Sequence, residues 1–298
     1  MATTETPNKS TYAVDMVKRL SKHADGKTFL ITGPSEEGLG AEVALSIASS
    51  SNPSMMILAG RTKTKIMSTV FLIRETNPNI EVVWISLNLL DNGSVRAAVD
   101  AIKKLTTKIH IVINNAGVMA VRDYTTSKQG VEGQFAANYL GHFLLTNLLM
   151  DQIFAAREEG ATIINVGSLG YELGDVKFDD INFEKGRKYN AWKAFGQSKT
   201  AILLWGIALA KRLDNKGVVT LVVHPGSKSL PPENMVGRQE AAGAVILTAL
   251  DPAFRASSSA FIVGENVYTE TKGYATSEQN AEKLWQLSEE LVGETFQL

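Results

Sequence analysis

The amino-acid sequence predicts an α/β fold in which a doubly wound parallel sheet of about seven strands carries helices on both faces. Short apolar runs, rich in β-branched residues, alternate along the chain with longer segments of helix-forming residues. The short runs are apolar without alternation, which is typical of strands that are covered on both faces of a parallel sheet. Right-handed crossovers are expected to join these strands.

The predicted strands and helices follow one another in β-α order. The strands are expected at residues 28–32, 55–59, 82–85, 109–113, 162–166, 218–223 and 261–263. Helices are expected at residues 39–49, 95–105, 135–153 and 191–213, which combine helix formers with apolar stripes. Thr276-Ser277-Glu278-Gln279 resembles a capping box, and it predicts a last helix whose apolar face carries Leu284, Leu287 and Leu291.

No repeat or low-complexity linker divides the chain of 298 residues, so residues 11–298 are predicted to form a single domain. Residues 1–10 are polar and lack the apolar core of a signal peptide, so we expect a mobile N-terminus and a cytoplasmic protein. The longest apolar run, residues 201–210, is too short to span a bilayer. It is expected to be a buried helix or a subunit interface.

Composition and charge exclude several classes of function. With a formal net charge of -1, nothing in the sequence suggests a nucleic-acid partner, which would call for a basic face. The chain has no cysteine, which excludes disulfides and thiolate chemistry and fits a reducing compartment. The histidines are scattered without the spacing of metal ligands, so no metal site is expected.

A glycine-rich turn, Thr32-Gly33-Pro34-Ser35-Glu36-Glu37-Gly38-Leu39-Gly40, follows the first strand and opens a helix. Glycines let the backbone approach a pyrophosphate, and a helix N-terminus supplies amide donors with a partial positive charge. The turn therefore predicts a dinucleotide site, with a plain strand-to-helix turn as the alternative. Glu36 and Glu37 would repel phosphates if they faced them, so both side chains are expected to point to solvent.

The end of the second strand, Ala59-Gly60-Arg61, bears on the choice of cofactor. An NAD-specific site usually has an acidic residue here, which holds the ribose hydroxyls. Arg61, with Lys63 or Lys65, would instead suit a 2′-phosphate. The expected cofactor, if one is bound, is therefore NADP(H). If the reaction is not a hydride transfer, we expect the cofactor to bind weakly or to have no redox role.

Further motifs follow in a fixed order along the chain. Asn114-Asn115-Ala116-Gly117 closes the fourth strand, Ser168 follows the fifth and Pro225-Gly226 follows the sixth, while Asn138 lies in the helix after the fourth. Together they resemble the short-chain dehydrogenase/reductase family, and most closely its retinol-dehydrogenase-like branch, which includes reductases of fungal secondary metabolism. The resemblance runs from about residue 28 to the last helix. It implies a Rossmann-type fold, a small hydrophobic substrate, and a homodimer or homotetramer.

The active site of that family is a tetrad of Asn, Ser, Tyr and Lys, of which three stand in register. By resemblance, Asn138 would hold a water relay, Ser168 would orient a substrate oxygen, and Lys199 would bind the nicotinamide ribose. The alternatives are structural: Asn138 bonded to backbone, Ser168 as a cap, and Lys199 in solvent. The resemblance also implies these cofactor-binding positions: Gly33, Ser35, Gly38, Leu39, Gly40, Arg61, Lys63, Asn88, Asn115, Ala116, Gly117, Lys199, Pro225 and Gly226.

Phe195 occupies the tyrosine position, four residues before Lys199, and a phenyl ring cannot give or take a proton. The run from Tyr189 to Lys193 also has the spacing Tyr-x-x-x-Lys. We reject it as the ancestral site because the sequence after Phe195 matches the family, and because a six-residue shift rotates a helix by roughly 240°. Tyr189 is expected near the substrate mouth. The candidate acids and bases are Ser168, Lys199, Tyr189, Tyr171, Glu172 and Lys228.

Other departures from the family pattern accompany the missing tyrosine. Asn88 replaces a usual acidic residue, Ile202 replaces a frequent asparagine, and no threonine follows Gly226 directly. These changes favour a non-redox enzyme of secondary-metabolite biosynthesis that moves a proton, for example by shifting a double bond next to a carbonyl. The alternatives are an NADPH-dependent carbonyl reductase or alcohol dehydrogenase, natural or inactivated by a Tyr→Phe change, and a non-catalytic binding or scaffold protein.

Overall fold

The computed structural model describes residues 12–226 and 236–298, so the predicted mobile N-terminus at residues 1–10 lies outside the described residues. One sheet contains eight strands: β1 (Thr28–Thr32), β2 (Met55–Gly60), β3 (Glu81–Ser86), β4 (Ile111–Asn114), β5 (Thr162–Val166), β6 (Val219–His224), β7 (Phe261–Val263) and β8 (Asn266–Val267). Their order is β3-β2-β1-β4-β5-β6-β7-β8. All neighbours pair in parallel except β7 and β8, which pair antiparallel.

The predicted α/β fold with a doubly wound sheet is confirmed, and the seven predicted strands are β1 to β7. The eighth strand is a two-residue edge strand, which is too short to carry a sequence pattern. The strand order reverses between β1 and β4, and this opens a crevice at the carboxyl ends of the strands.

The helices pack on both faces of the sheet over two apolar clusters. They are α1 (Ala13–Leu20), α2 (Leu39–Ser50), α3 (Lys63–Thr76), α4 (Asn92–Leu105), α5 (Gly133–Phe135), α6 (Gly141–Leu148), α7 (Met150–Phe154), α8 (Ala191–Arg212), α9 (Arg238–Leu250), α10 (Gly273–Thr276) and α11 (Glu278–Val292). The sequence prediction did not include α1, α3, α9 and α10. Helix α9 is buried along its whole second half, so it has no apolar stripe to find.

The single helix predicted at residues 135–153 is wrong in detail. A π-helical turn, Ala136–Leu140, joins α5 to α6, and the backbone at Leu149 (φ -98°, ψ 8°) separates α6 from α7. Turns of this kind occur often at functional sites and leave little trace in a hydrophobic pattern. The described helices include none with the length and apolarity to cross a membrane. Within the same residues, no group of three His, Asp or Glu side chains is arranged to hold a metal.

Helix α11 covers the apolar face of α8. The Trp285 ring is 2% exposed, its centroid lies 4.9 Å from that of Phe143, and the Arg212 guanidinium lies 3.9 Å from its centroid. Arg212 also donates to both carboxylate oxygens of Glu282, at 2.9 and 3.0 Å. Residues 201–210 are buried within one chain, except for the half-buried Ile207 and Ala210, as expected for a buried helix. The alternative of a subunit interface stays a prediction.

Replacing Trp285 with alanine is expected to lower the free energy of unfolding by about 3–5 kcal/mol, because a buried indole leaves a large cavity. Urea denaturation measures the change. Trp192→Ala is a matched control, since the Trp192 side chain is 48% exposed and its removal is expected to cost less than about 1 kcal/mol. Equal losses in the two variants would contradict the packing of α11 on α8.

Candidate cofactor and substrate site

A cleft of about 630 Å³ lies at the carboxyl ends of the strands and crosses the point where the strand order reverses. Its volume is in the range usual for ligand sites. Most of the sequence-predicted cofactor and catalytic positions line it: Gly33, Ser35, Gly38, Leu39, Arg61, Asn88, Asn115, Ala116, Gly117, Ser168, Phe195, Lys199, Pro225 and Gly226. The fold therefore brings together residues that are far apart in the chain.

The glycine-rich turn has the close packing that a dinucleotide cradle needs. A Cβ atom on Gly33 would lie 2.8 Å from Ala116 Cα, and one on Gly38 would lie 2.9 Å from the Ser35 carbonyl oxygen. Gly40 does not line the cleft, but a Cβ there would meet the Asn115 amide. Glycine at these positions therefore keeps the turn tight and lets the protein backbone approach a ligand closely, which suits a pyrophosphate.

The acidic pair of the turn is exposed, as expected, and neither Glu36 nor Glu37 lines the cleft. Arg61, directly after β2, and Lys65, in the first turn of α3, line the cleft. Lys63 does not, because its Nζ lies over the Trp84 ring, 5.4 Å from the centroid. The predicted contact of Lys63 with the cofactor is therefore corrected: the side chain is exposed, and its ammonium lies over Trp84 of β3 and not in the cleft.

A buried hydrogen-bond chain connects the glycine-rich turn to the π-helical turn. The carbonyl of Asn138 lies 3.1 Å from His142 Nδ1, so Nδ1 carries the proton and donates. His142 Nε2 then accepts from the Thr32 hydroxyl at 2.8 Å. Thr32 Oγ1 in turn accepts from the backbone N–H groups of Asn115 and Ala116, at 3.0 and 2.9 Å. Complete burial lowers the pKa of His142 to about 4, so the ring is neutral at physiological pH.

Asn138 clamps the backbone at Val118. Its Oδ1 accepts from the Val118 N–H at 2.7 Å, and its Nδ2 donates to the Val118 carbonyl at 2.9 Å and to Ser198 Oγ at 2.9 Å. These bonds occupy the side-chain amide. The residue Asn138 is 2% exposed and does not line the cleft. The Asn138 side chain therefore has the structural role given above as the alternative, because it bonds to backbone. A water relay could use only the backbone carbonyl of Asn138.

Ser168, Phe195 and Lys199 lie at the inner end of the cleft. Ser168 Oγ accepts from the Gly170 N–H at 2.9 Å, which leaves its hydroxyl proton for a ligand. Lys199 Nζ donates to the Val166 carbonyl at 2.8 Å and lies 5.7 Å from the centroid of the Phe195 ring. Burial without an opposite charge lowers the pKa of Lys199 to about 8.

His224, which the sequence analysis did not single out, lines the cleft at the end of β6. Its Nδ1 accepts from the Leu169 N–H at 3.4 Å, and burial together with the charge of Lys199 lowers its pKa to about 4. Its position directly before Pro225-Gly226, at a strand end, was the available signal. Lys228, a candidate acid or base, lies outside the described residues.

The other candidate acids lie away from the cleft. Tyr189 donates its hydroxyl to the Val121 carbonyl at 2.7 Å and accepts from Gln134 Nε2 at 2.9 Å. Tyr171 is fully buried, and its hydroxyl accepts from the Lys272 N–H at 3.1 Å. Glu172 pairs with the Lys272 ammonium at 3.4 Å. None of the three lines the cleft, so none replaces the missing phenol there.

Comparison with known proteins places this geometry in context. The family model described as short chain dehydrogenase matches residues 27–179. The chain is 32% identical to the oxidoreductase fscI of Fusarium equiseti over 74% of this chain and 95% of that protein. It is 40% identical to human retinol dehydrogenase 13 over 67% of this chain, but the match spans only 59% of that relative.

Two solved structures share the fold. An uncharacterized protein from Mycobacterium paratuberculosis superposes with a TM-score of 0.73 at 30% identity, over 92% of this chain and 96% of that one. The NADPH-bound carbonyl reductase from chicken fatty liver superposes with a TM-score of 0.64 over 82% of this chain and 99% of that one. Its identity to this chain is 21%, so this second likeness concerns the fold alone.

Proposed function

Because the chain belongs to the short-chain dehydrogenase/reductase family, we propose that it is an enzyme that binds NADP(H) and moves a proton in a small apolar carbonyl compound without transferring hydride. The observation that carries this proposal is the inner end of the cleft. There Ser168 and Lys199 remain, while Phe195 puts a phenyl ring where the family has its phenol. The polar groups for polarising a carbonyl and moving a proton are kept, and the usual proton donor for reduction is lost.

In this proposal the residues of the chain have separate tasks. The Ser168 hydroxyl donates a hydrogen bond to the carbonyl oxygen, keeps its proton, and so stabilises the negative charge of an enolate. The neutral amine of Lys199 takes a proton from the carbon next to the carbonyl and returns it to a carbon further along the conjugated system. Gly33, Gly38 and Arg61 would hold NADP(H), whose chemistry when bound is hydride donation. The proton shift itself needs no hydride.

Proton exchange tests the proposed function directly. The protein is incubated in deuterated buffer with 1-tetralone, an apolar ketone that has hydrogens next to its carbonyl, and deuterium uptake is followed by NMR. NADPH oxidation is measured in parallel by absorbance. We expect catalysed exchange without NADPH oxidation. Oxidation at an ordinary enzymatic rate, with no exchange above the buffer rate, would contradict the proposal.

The preference for NADP(H) over NAD(H) is expected to depend on Arg61. Arg61→Ser removes a charged hydrogen-bond donor from the cleft, and such bonds contribute about 1.5–3 kcal/mol, so NADPH binding is expected to weaken by about 10- to 100-fold. NADH binding should change little. Lys63→Ser is the matched control, because Lys63 lies over Trp84 outside the cleft, and fluorescence titration should find its affinities unchanged. An equal effect in both variants would refute the assignment.

A second function, NADPH-dependent reduction of a carbonyl, has support of its own. The relatives named above are an oxidoreductase and a dehydrogenase, and the glycine turn and Arg61 line a cleft of suitable size. On this alternative, water beside Lys199 supplies the proton slowly. Helix α11 packs on α8. For both proposed functions, this packing supports a monomer or an oligomer that forms through another surface.

A further inference from the structure

Some exposed apolar side chains lie in the cleft or next to Phe195, which lines it. Nine large hydrophobic side chains are exposed among the described residues. Two of them line the cleft, and two others adjoin Phe195 or the residue after it. These four form the apolar rim: Val118 (41% exposed), Met119 (54%), Leu173 (47%) and Trp192 (48%). Single exposed hydrophobic residues need no explanation, but a group of them beside a concave site indicates a binding surface.

The contacts of the apolar rim connect it to the cleft. Val118 and Met119 line the cleft together with Phe195. The Trp192 ring stands perpendicular to the Phe195 ring, with an interplanar angle of 89° and a centroid distance of 6.4 Å. Leu173 adjoins Gly196, the residue after Phe195, so closely that a Cβ atom there would lie 2.9 Å from Leu173 Cβ. Phe195 is thus the point where the cleft and the rim meet.

We propose that Phe195 and the apolar rim bind a planar, conjugated carbonyl compound, whose flat part packs on the corner formed by the Phe195 and Trp192 rings. This inference rests on the proposed function for the position of the carbonyl, which Ser168 would hold. The phenyl ring then has a recognition role and is more than the remnant of a lost acid. Aromatic rings favour edge-to-face and offset contacts with another ring beyond the area they bury, and a saturated ring cannot make them.

A small molecule fits this surface better than a protein partner does. A stable protein interface usually buries about 800 Å² on each partner, and four side chains supply only part of that area. The rim is also continuous with a cleft of about 630 Å³, which a flat protein partner would leave empty. The apolar rim itself contains no charged side chain, so the compound is expected to be neutral.

Two ketones with the same carbon skeleton test the inference. The planar aryl ketone 1-tetralone and its saturated counterpart 1-decalone are titrated separately into the cofactor-free protein, with calorimetry as the readout. We expect 1-tetralone to bind about 3- to 10-fold more tightly, as aromatic pairing predicts. Trp192→Leu removes one of the two rings, so it should reduce this preference and leave 1-decalone and NADPH binding unchanged. Phe71→Leu, at an exposed aromatic residue on α3, is the matched control and should keep the preference.

Equal affinities for the two ketones, binding of neither, or an equal loss of both in Trp192→Leu would overturn the inference. Its failure is distinguishable from failure of the proposed function. Preferential, Trp192-dependent binding of 1-tetralone without deuterium exchange leaves the inference standing and removes the proton transfer. Deuterium exchange at the same rate in both ketones, with equal affinities, would leave the proton transfer standing and overturn the inference.

Discussion

Replacing Phe195 with tyrosine is expected to raise NADPH-dependent carbonyl reduction by about 10²- to 10⁴-fold, the usual contribution of a positioned acid. The ring already lies in the cleft with Ser168, and Lys199 Nζ is 5.7 Å from its centroid. Below a pH of about 8, the pKa to which burial lowers Lys199, its ammonium is charged, and a cation near a phenol lowers the phenol pKa and makes it a better acid. NADPH oxidation with 1-tetralone, followed by absorbance, measures the gain.

Tyr189→Phe is the matched control for this gain. The Tyr189 hydroxyl is bonded to Val121 and Gln134 away from the cleft, so its removal should leave the reduction rate unchanged. No gain in Phe195→Tyr, in a variant that still binds NADPH, would show that loss of the phenol is not what limits hydride transfer. In that case the other departures of the cofactor cleft, such as Asn88, would have to account for the low rate.

Replacing Lys199 with methionine is expected to slow deuterium exchange by about 10²- to 10⁴-fold, because methionine keeps the apolar stem and removes the proposed base. The pH profile gives a second readout. In the parent protein the rate should rise as pH increases through about 8, the pKa to which burial lowers Lys199, since only the neutral amine accepts a proton. Within residues 12–226 and 236–298, His142 and His224 are titratable groups whose pKa the charge of Lys199 affects. Burial lowers the pKa of both to about 4, so they stay neutral across this range.

Lys193→Met controls for the loss of a lysine from the same helix, because Lys193 is exposed and does not line the cleft. It should keep both the rate and the pH profile. If Lys199→Met retains the rise near pH 8, the titrating group is another residue and the role of Lys199 is wrong. Circular dichroism and NADPH titration identify a variant that has lost its fold and not only its base.

Strands were predictable from the sequence because each buried strand is a short apolar run. Residues 28–32, 162–166 and 261–263 agree with β1, β5 and β7 to the residue. Helices were predictable where an apolar stripe or a cap marks them, as in α2 and α11. The break at Leu149 and the π-helical turn at Ala136–Leu140 could not be predicted, because they depend on hydrogen bonds within a uniformly buried segment.

The site shows the same division at the level of single residues. Arg61 and Lys63 are alike in the sequence, yet one lines the cleft and the other lies over Trp84. Tyr189 has the spacing of a catalytic tyrosine, but its hydroxyl is held by Val121 on another segment. Spacing along the chain predicts which face of a helix a residue occupies. The partner of its side chain belongs to an element that is far away in the sequence, so spacing cannot predict it.

The sequence by itself determined the α/β fold, the position of the glycine turn after β1, and the absence of a hydroxyl at residue 195, since each depends on local pattern or on residue identity. The tertiary structure alone decided that Lys199 is buried without a carboxylate partner among the residues it describes, that α11 covers α8, and that Trp192 meets Phe195 at the cleft. The physical reason is that burial, and the pKa shifts and ring contacts that follow from it, are set by the packing of distant segments around a side chain.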